Sequence, residues 1–137
     1  MWWMYALLSA FFAALTAIFA KIGIKGVDTD LATALRTVVI LVIAWTIAFF
    51  RGGAAMLPTL SKQHLFFICL SGVATGLSWV FYFKALQLGK VTQVAPVDKL
   101  SVALAIVLSV IFLGEPLSLK NAAGAILIIS GTLVLIL

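Results

Sequence analysis

Three charged side chains stand inside long apolar runs of this sequence: Arg36, and the adjacent Asp98 and Lys99. An ionised group in hydrocarbon costs several kcal/mol by estimates that differ widely, so such residues usually face a bundle interior or a wet cavity and mark the path of a polar solute. Arg36 lies roughly six residues into its run, about 9 Å deep at 1.5 Å per residue, and Asp98 and Lys99 lie about 11 Å into theirs. Both runs begin at loops on the same side, which puts the three charges at similar height in one leaflet. Asp98 is the one acid at that depth, and it is expected to pair with Arg36, with Lys99, or with both. The chemistry open to such a set is electrostatic: holding a charged solute, or gating its passage by making and breaking an ion pair. The alternative is that Arg36 and Lys99 snorkel to lipid headgroups while Asp98 only fixes helix packing.

The neighbours of these charges favour an inward-facing site. Thr29, Thr33, Arg36 and Thr37 recur at helical spacing and give their helix a polar stripe. Pro96 lacks an N–H and obstructs the carbonyl four residues earlier, which predicts a kink near Thr92 beside the charged pair. Lys21 and Lys84 close neighbouring runs on the same side, so the full candidate cluster is Lys21, Thr33, Arg36, Lys84, Pro96 and Lys99 with Asp98. Its basic excess favours a zwitterionic or anionic solute over a permanent cation. No group of His, Cys, Asp and Glu has metal-ligand spacing, and no Gly-rich loop could cradle a phosphate. No metal, cofactor, catalytic residue or enzyme activity is therefore expected. Cys69 reads as a small core residue, His64 as an interface residue, and Glu115 in Leu113-Gly114-Glu115-Pro116 as a helix boundary.

The elements that must position these residues follow from composition. Of the 137 residues, 65% are hydrophobic and only 9% are charged, which excludes a soluble enzyme or nucleic-acid module. Five apolar runs each approach the roughly 20 residues that cross a hydrocarbon core. They span about Trp2 to Ala20, Leu31 to Phe50, Leu65 to Leu86, Val91 to Leu113 and Asn121 to Leu137, joined by short connections within one domain, 1–137. Backbone groups in lipid must be bonded internally, so the expected fold class is an all-α integral membrane protein with five transmembrane helices. The first run lacks a positively charged leader and reads as a retained span.

An odd number of spans places the termini on opposite sides. One side carries Lys21, Lys25, Lys84 and Lys90, the other Arg51, Lys62 and Lys120, a balance of 4 against 3. So small a bias slightly favours an external amino terminus, and it is also what a chain inserting in both orientations shows. Trp2, Trp3 and Tyr5 suit an interfacial aromatic belt. Gly72 and Gly76 form a GxxxG, and Gly124 and Gly131 stand seven residues apart on one face; either pair serves close packing within the chain, a dimer seam or a substrate face. Trp79, Phe81, Tyr82 and Phe83 line a site or contact core and lipid.

The stretch from Lys84 to Ser101, including Pro96-Val97-Asp98-Lys99, then Phe112-Leu113-Gly114-Glu115-Pro116-Leu117-Ser118 and Gly124 to Thr132, resembles the second half of an EamA domain, the repeat unit of the drug/metabolite transporter superfamily. Ala32-Thr33-Ala34-Leu35-Arg36-Thr37 and Lys21-Ile22-Gly23 resemble its single-domain, five-helix bacterial and archaeal branch. The resemblance covers essentially the whole chain. It implies half of a ten-helix inverted-repeat transporter, completed by a homodimer or a close paralogue, plausibly antiparallel with dual topology, in the cell inner (plasma) membrane. It further implies a small-molecule metabolite substrate, export by alternating access, lipid as the surrounding partner, and no nucleic acid. Two alternatives stand beside it. One is a non-transporting membrane assembly subunit. The other is a cation exporter like the small multidrug resistance transporters, whose dimer-helix pattern the Gly124 to Gly131 spacing resembles, although their membrane-embedded Glu has no counterpart between Trp2 and Ala20.

Overall fold

The computed structural model describes all residues, 1–137, and they fall into two units, one of Phe19–Gln87 and one of Met1–Ile18 with Leu88–Leu137. Every regular element is helical: α1 Trp2–Gly23, α2 Thr29–Phe50, α3 Lys62–Leu88, α4 Val91–Asp98, α5 Leu100–Leu113 and α6 Leu119–Ile136. With α4 and α5 forming one apolar stretch, Val91–Leu113, five helical spans are long and apolar enough to cross a membrane. The five expected spans are therefore present. Four begin or end two to three residues beyond their apolar runs, because polar residues such as Lys21, Thr29, Lys62 and Lys120 prolong each helix rather than stopping it.

In the unit Phe19–Gln87, α2 starts at a side-chain cap. The Asp28 carboxylate accepts from the N–H groups of Asp30 and Leu31 at 3.0 and 2.9 Å, satisfying donors that the first helical turn cannot. At the other end the Arg51 N–H closes on the Ile47 carbonyl at 3.0 Å, and Gly52, at φ 75°, turns the chain out of the helix. The next residues, read as loop in the sequence, form a 3-10 helix over Gly53–Thr59, closed by the Thr59 hydroxyl donating to the Met56 carbonyl at 2.7 Å. Ser61 accepts the His64 N–H at 3.2 Å and launches α3. Ile24, Thr29, Thr33, Phe83 and Leu86 are buried, which locates the unit's packing at the start of α2 and the end of α3. Elsewhere the helices carry large exposed apolar side chains, and none of the most apolar stretch of α3 is buried.

In the unit Met1–Ile18 with Leu88–Leu137, the span Val91–Leu113 is interrupted. The break falls at Lys99, not at the kink near Thr92 that Pro96 suggested. Pro96 removes only the bond to Thr92, close to the helix start, and the helix absorbs that loss. It then tightens at Lys99, whose N–H is shared between the carbonyls of Ala95 at 3.3 Å and Pro96 at 3.1 Å. At the far end Gly114 adopts φ 67° and stops α5. Glu115 follows it, exposed, its N–H on the Ser109 carbonyl at 3.3 Å. Ser118 caps α6 through the Asn121 N–H at 3.1 Å. Thr132, only 4% exposed, reaches from α6 to donate its hydroxyl to the Pro96 carbonyl at 3.2 Å. Interhelical hydrogen bonds in membranes average about 0.6 kcal/mol. Thr132→Val should lower stability by about that amount, read as a small drop in thermal midpoint in detergent, with the rest of the fold unchanged.

Candidate functional site

The strongest polar feature within an apolar span lies in the unit Phe19–Gln87. Arg36 is the eighth residue of α2, about 10 Å along it from Thr29. Its guanidinium carbon stands 4.5 Å from the centre of the Trp79 ring and 5.1 Å from that of Phe83. Both rings come from α3, and their spacing of four places them on one helical face, which Leu86 continues one turn later. Phe83 and Leu86 are almost fully buried, and Tyr82 packs beside Phe83 with ring centres 6.3 Å apart. The side chains anchoring this face are thus held by packing, and the cation rests on an aromatic wall.

The hydrogen bonds around it explain why the wall is well defined. Thr33, 7% exposed, donates its hydroxyl to the Thr29 carbonyl at 2.8 Å, and Thr37 donates to the Thr33 carbonyl at 2.7 Å. Each hydroxyl is satisfied along its own helix, as lipid demands, and keeps its oxygen as an acceptor. At the end of the wall the Lys21 ammonium donates to the Leu86 carbonyl, and the Gln87 amide donates to the Val27 carbonyl at 3.2 Å. These long polar side chains tie the α1–α2 turn to the last turn of α3. Lys84 is exposed, just before that last turn of α3.

The other candidates lie in the unit that contains α4. Asp98 and Lys99 form an ion pair at 3.2 Å, with side chains 34% and 57% exposed respectively. Of the partners expected for Asp98, the structure shows Lys99. Arg36 rests on aromatic faces within its own unit, where Trp79 and Phe83 offer their negative ring quadrupoles to the guanidinium. The Asp98–Lys99 pair sits at the interruption of the span, beside Pro96 and its Thr132 tether. At Gly72, Gly76, Gly124 and Gly131 an added Cβ would meet nothing within 4 Å, so the chain itself does not pack closely on these positions.

Sequence reasoning missed Thr132 altogether and left the rings of Trp79 and Phe83 undecided. For the rings a signal existed: Trp79, Phe83 and Leu86 repeat at helical spacing and lie within about two turns of the α3 end, at nearly the depth that Arg36 has from the start of α2. For Thr132 there was none, since the contact joins residues 36 positions apart.

A comparison with known families decides what kind of protein presents this site. The whole chain, residues 1–137, matches the sequence profile of the EamA-like transporter family. The chain belongs to that family. A protein from Sinorhizobium sp, described as an uncharacterized transporter in cobO 3'region, is 46% identical to it over 134 residues, covering 98% of this chain and 95% of that relative. No solved structure matches significantly. This EamA-like chain is thus a multi-pass membrane protein of a transporter family, in agreement with its five apolar helices.

Proposed function

We propose that this EamA-like chain moves a small polar metabolite across the plasma membrane by alternating access, working as an antiparallel dimer, with Arg36 on the substrate path. The observation that carries the reading is Arg36 itself. A guanidinium within a membrane span, braced on Trp79 and Phe83, on a helix whose Thr33 and Thr37 hydroxyls are bonded along its own backbone, is an expensive arrangement that packing alone does not require. Lys21 and Lys84 extend positive charge toward the membrane surface from the same end. In the other unit, the interrupted span at Asp98 and Lys99 supplies a point at which a helix can bend, and broken helices are common where transporters bind solutes.

The dimer is supported by the near-equal loop charges and by glycine faces that the chain leaves open. A membrane assembly subunit would use such faces too, but it has no need of a wet path at Arg36. That difference supplies the test. In a Cys69→Ser background, Thr37→Cys places one thiol on the polar stripe. Thiols react as thiolates, which form in water and not in hydrocarbon. A membrane-impermeant charged thiol reagent should label Thr37→Cys in proteoliposomes, while a control cysteine at the exposed apolar position Val42 stays unlabelled. Equal silence at both positions would contradict a substrate path along this stripe.

A further inference from the structure

Aromatic walls such as Trp79 with Phe83 are the surfaces that recognise organic cations, through the negative potential over each ring. In this chain the wall is already filled. The guanidinium of Arg36 lies at contact distance from both ring centres, and the residue on which it sits is fixed by its helix rather than free to exchange. No carboxylate of its own unit forms an ion pair with it. The acids of its own unit, Asp28 and Asp30, lie at the start of α2, and the Asp28 carboxylate is engaged in capping that helix.

Two consequences follow for charge selection. A soluble organic cation would have to displace a tethered one and would meet its repulsion in a low-dielectric site. An anion instead gains what the chain withholds: the planar fork of N–H donors that suits a carboxylate. Building on the proposed transport role, we infer that Arg36 is a charge-selecting residue, a built-in occupant of an aromatic cation site that converts it into a receptor for organic carboxylates. Apolar surface from Trp79 and Phe83 lies beside the guanidinium, so the favoured ligand is a carboxylate joined to an aryl or apolar body. Thr33 and Thr37, whose oxygens retain acceptor capacity, allow an ammonium on the same ligand without requiring it.

The inference makes an inverted-preference prediction for the vacated site. Equilibrium binding of radiolabelled benzoate and benzyltrimethylammonium is measured on the purified chain in nanodiscs, for wild type, Arg36→Ala and Arg36→Met. Methionine fills much of the same length with a flexible apolar chain, so it guards against collapse of the alanine variant. Wild type should bind benzoate in preference to benzyltrimethylammonium. Both variants should lose benzoate and gain the cation, moving the preference by roughly tenfold or more, the scale of a desolvated cation–π contact. Adding Trp79→Leu to either variant should abolish the gain, because the wall itself is then gone. A benzoate-to-cation ratio unchanged in variants that melt like wild type would overturn the inference, as would a wild type that prefers the cation. Binding is read here without flux: a chain that shows the inversion but moves no solute would contradict the transport reading alone, and one that transports with no inversion would contradict charge selection alone.

Discussion

Arg36→Gln should lower initial transport rates at limiting substrate by about 10- to 100-fold, since a hydrogen bond to a charged group contributes about 1.5–3 kcal/mol and each 1.4 kcal/mol is a factor of ten. Glutamine preserves polarity and much of the reach but removes the positive charge and the fork. Arg36→Lys should fall between wild type and Arg36→Gln, because the ammonium keeps the charge and a cation–π contact while losing bidentate geometry. Both variants should still insert and elute like wild type. The ties from Lys21 to Leu86 and from Gln87 to Val27 do not involve the guanidinium and remain. Flux in proteoliposomes, compared at equal reconstituted protein, checks this. A rate for Arg36→Gln within twofold of wild type would reduce Arg36 to a packing feature.

Gly124→Leu and Gly131→Leu together should dissociate the proposed dimer while sparing the fold of the chain. Nothing within the chain lies within 4 Å of a Cβ at either position, so the first atom of a larger side chain meets no internal neighbour. In a dimer whose α6 helices approach through these small residues, two leucines would hold the backbones apart and remove the close contact that drives helix association in lipid. The expected loss is tenfold or more in dimer affinity, corresponding to about 1.4 kcal/mol or above, with transport lost in parallel. Cross-linking in liposomes at varied protein-to-lipid ratios reads the first effect and flux the second. Persistence of the dimer would move the seam elsewhere, with the open face of Gly72 and Gly76 next to be tested in the same way.

The five spans were legible because lipid imposes a single rule, that apolar runs of sufficient length become helices, and runs such as Leu31 to Phe50 satisfy it without reference to any other segment. Arg36, Asp98 and Lys99 were legible as candidates for the complementary reason, that charge in such runs is costly. What each charge touches was not. Helical geometry sets sequence neighbours about 100° apart around the axis, so the Asp98–Lys99 pair depends on the local interruption at Lys99, which Pro96 suggested but placed a turn or more too early. The Arg36 stack depends on how α2 meets α3, and the single-helix pattern of Trp79, Phe83 and Leu86 shows a shared face without saying what rests on it. The 3-10 helix Gly53–Thr59 escaped notice because Gly52-Gly53 and Pro58 read as loop, and Pro58 sits near its end, where the missing N–H disturbs little.

Transport by this chain alone is most directly tested in liposomes reconstituted with the purified wild-type protein and no other. Preloaded unlabelled carboxylate should drive rapid accumulation of external labelled carboxylate by counterflow, saturably, at a rate that scales with protein, and Arg36→Gln liposomes should stay near the protein-free background. Accumulation no faster than in protein-free liposomes, across anionic, zwitterionic and cationic metabolites and with the dimer shown to be present, would contradict it.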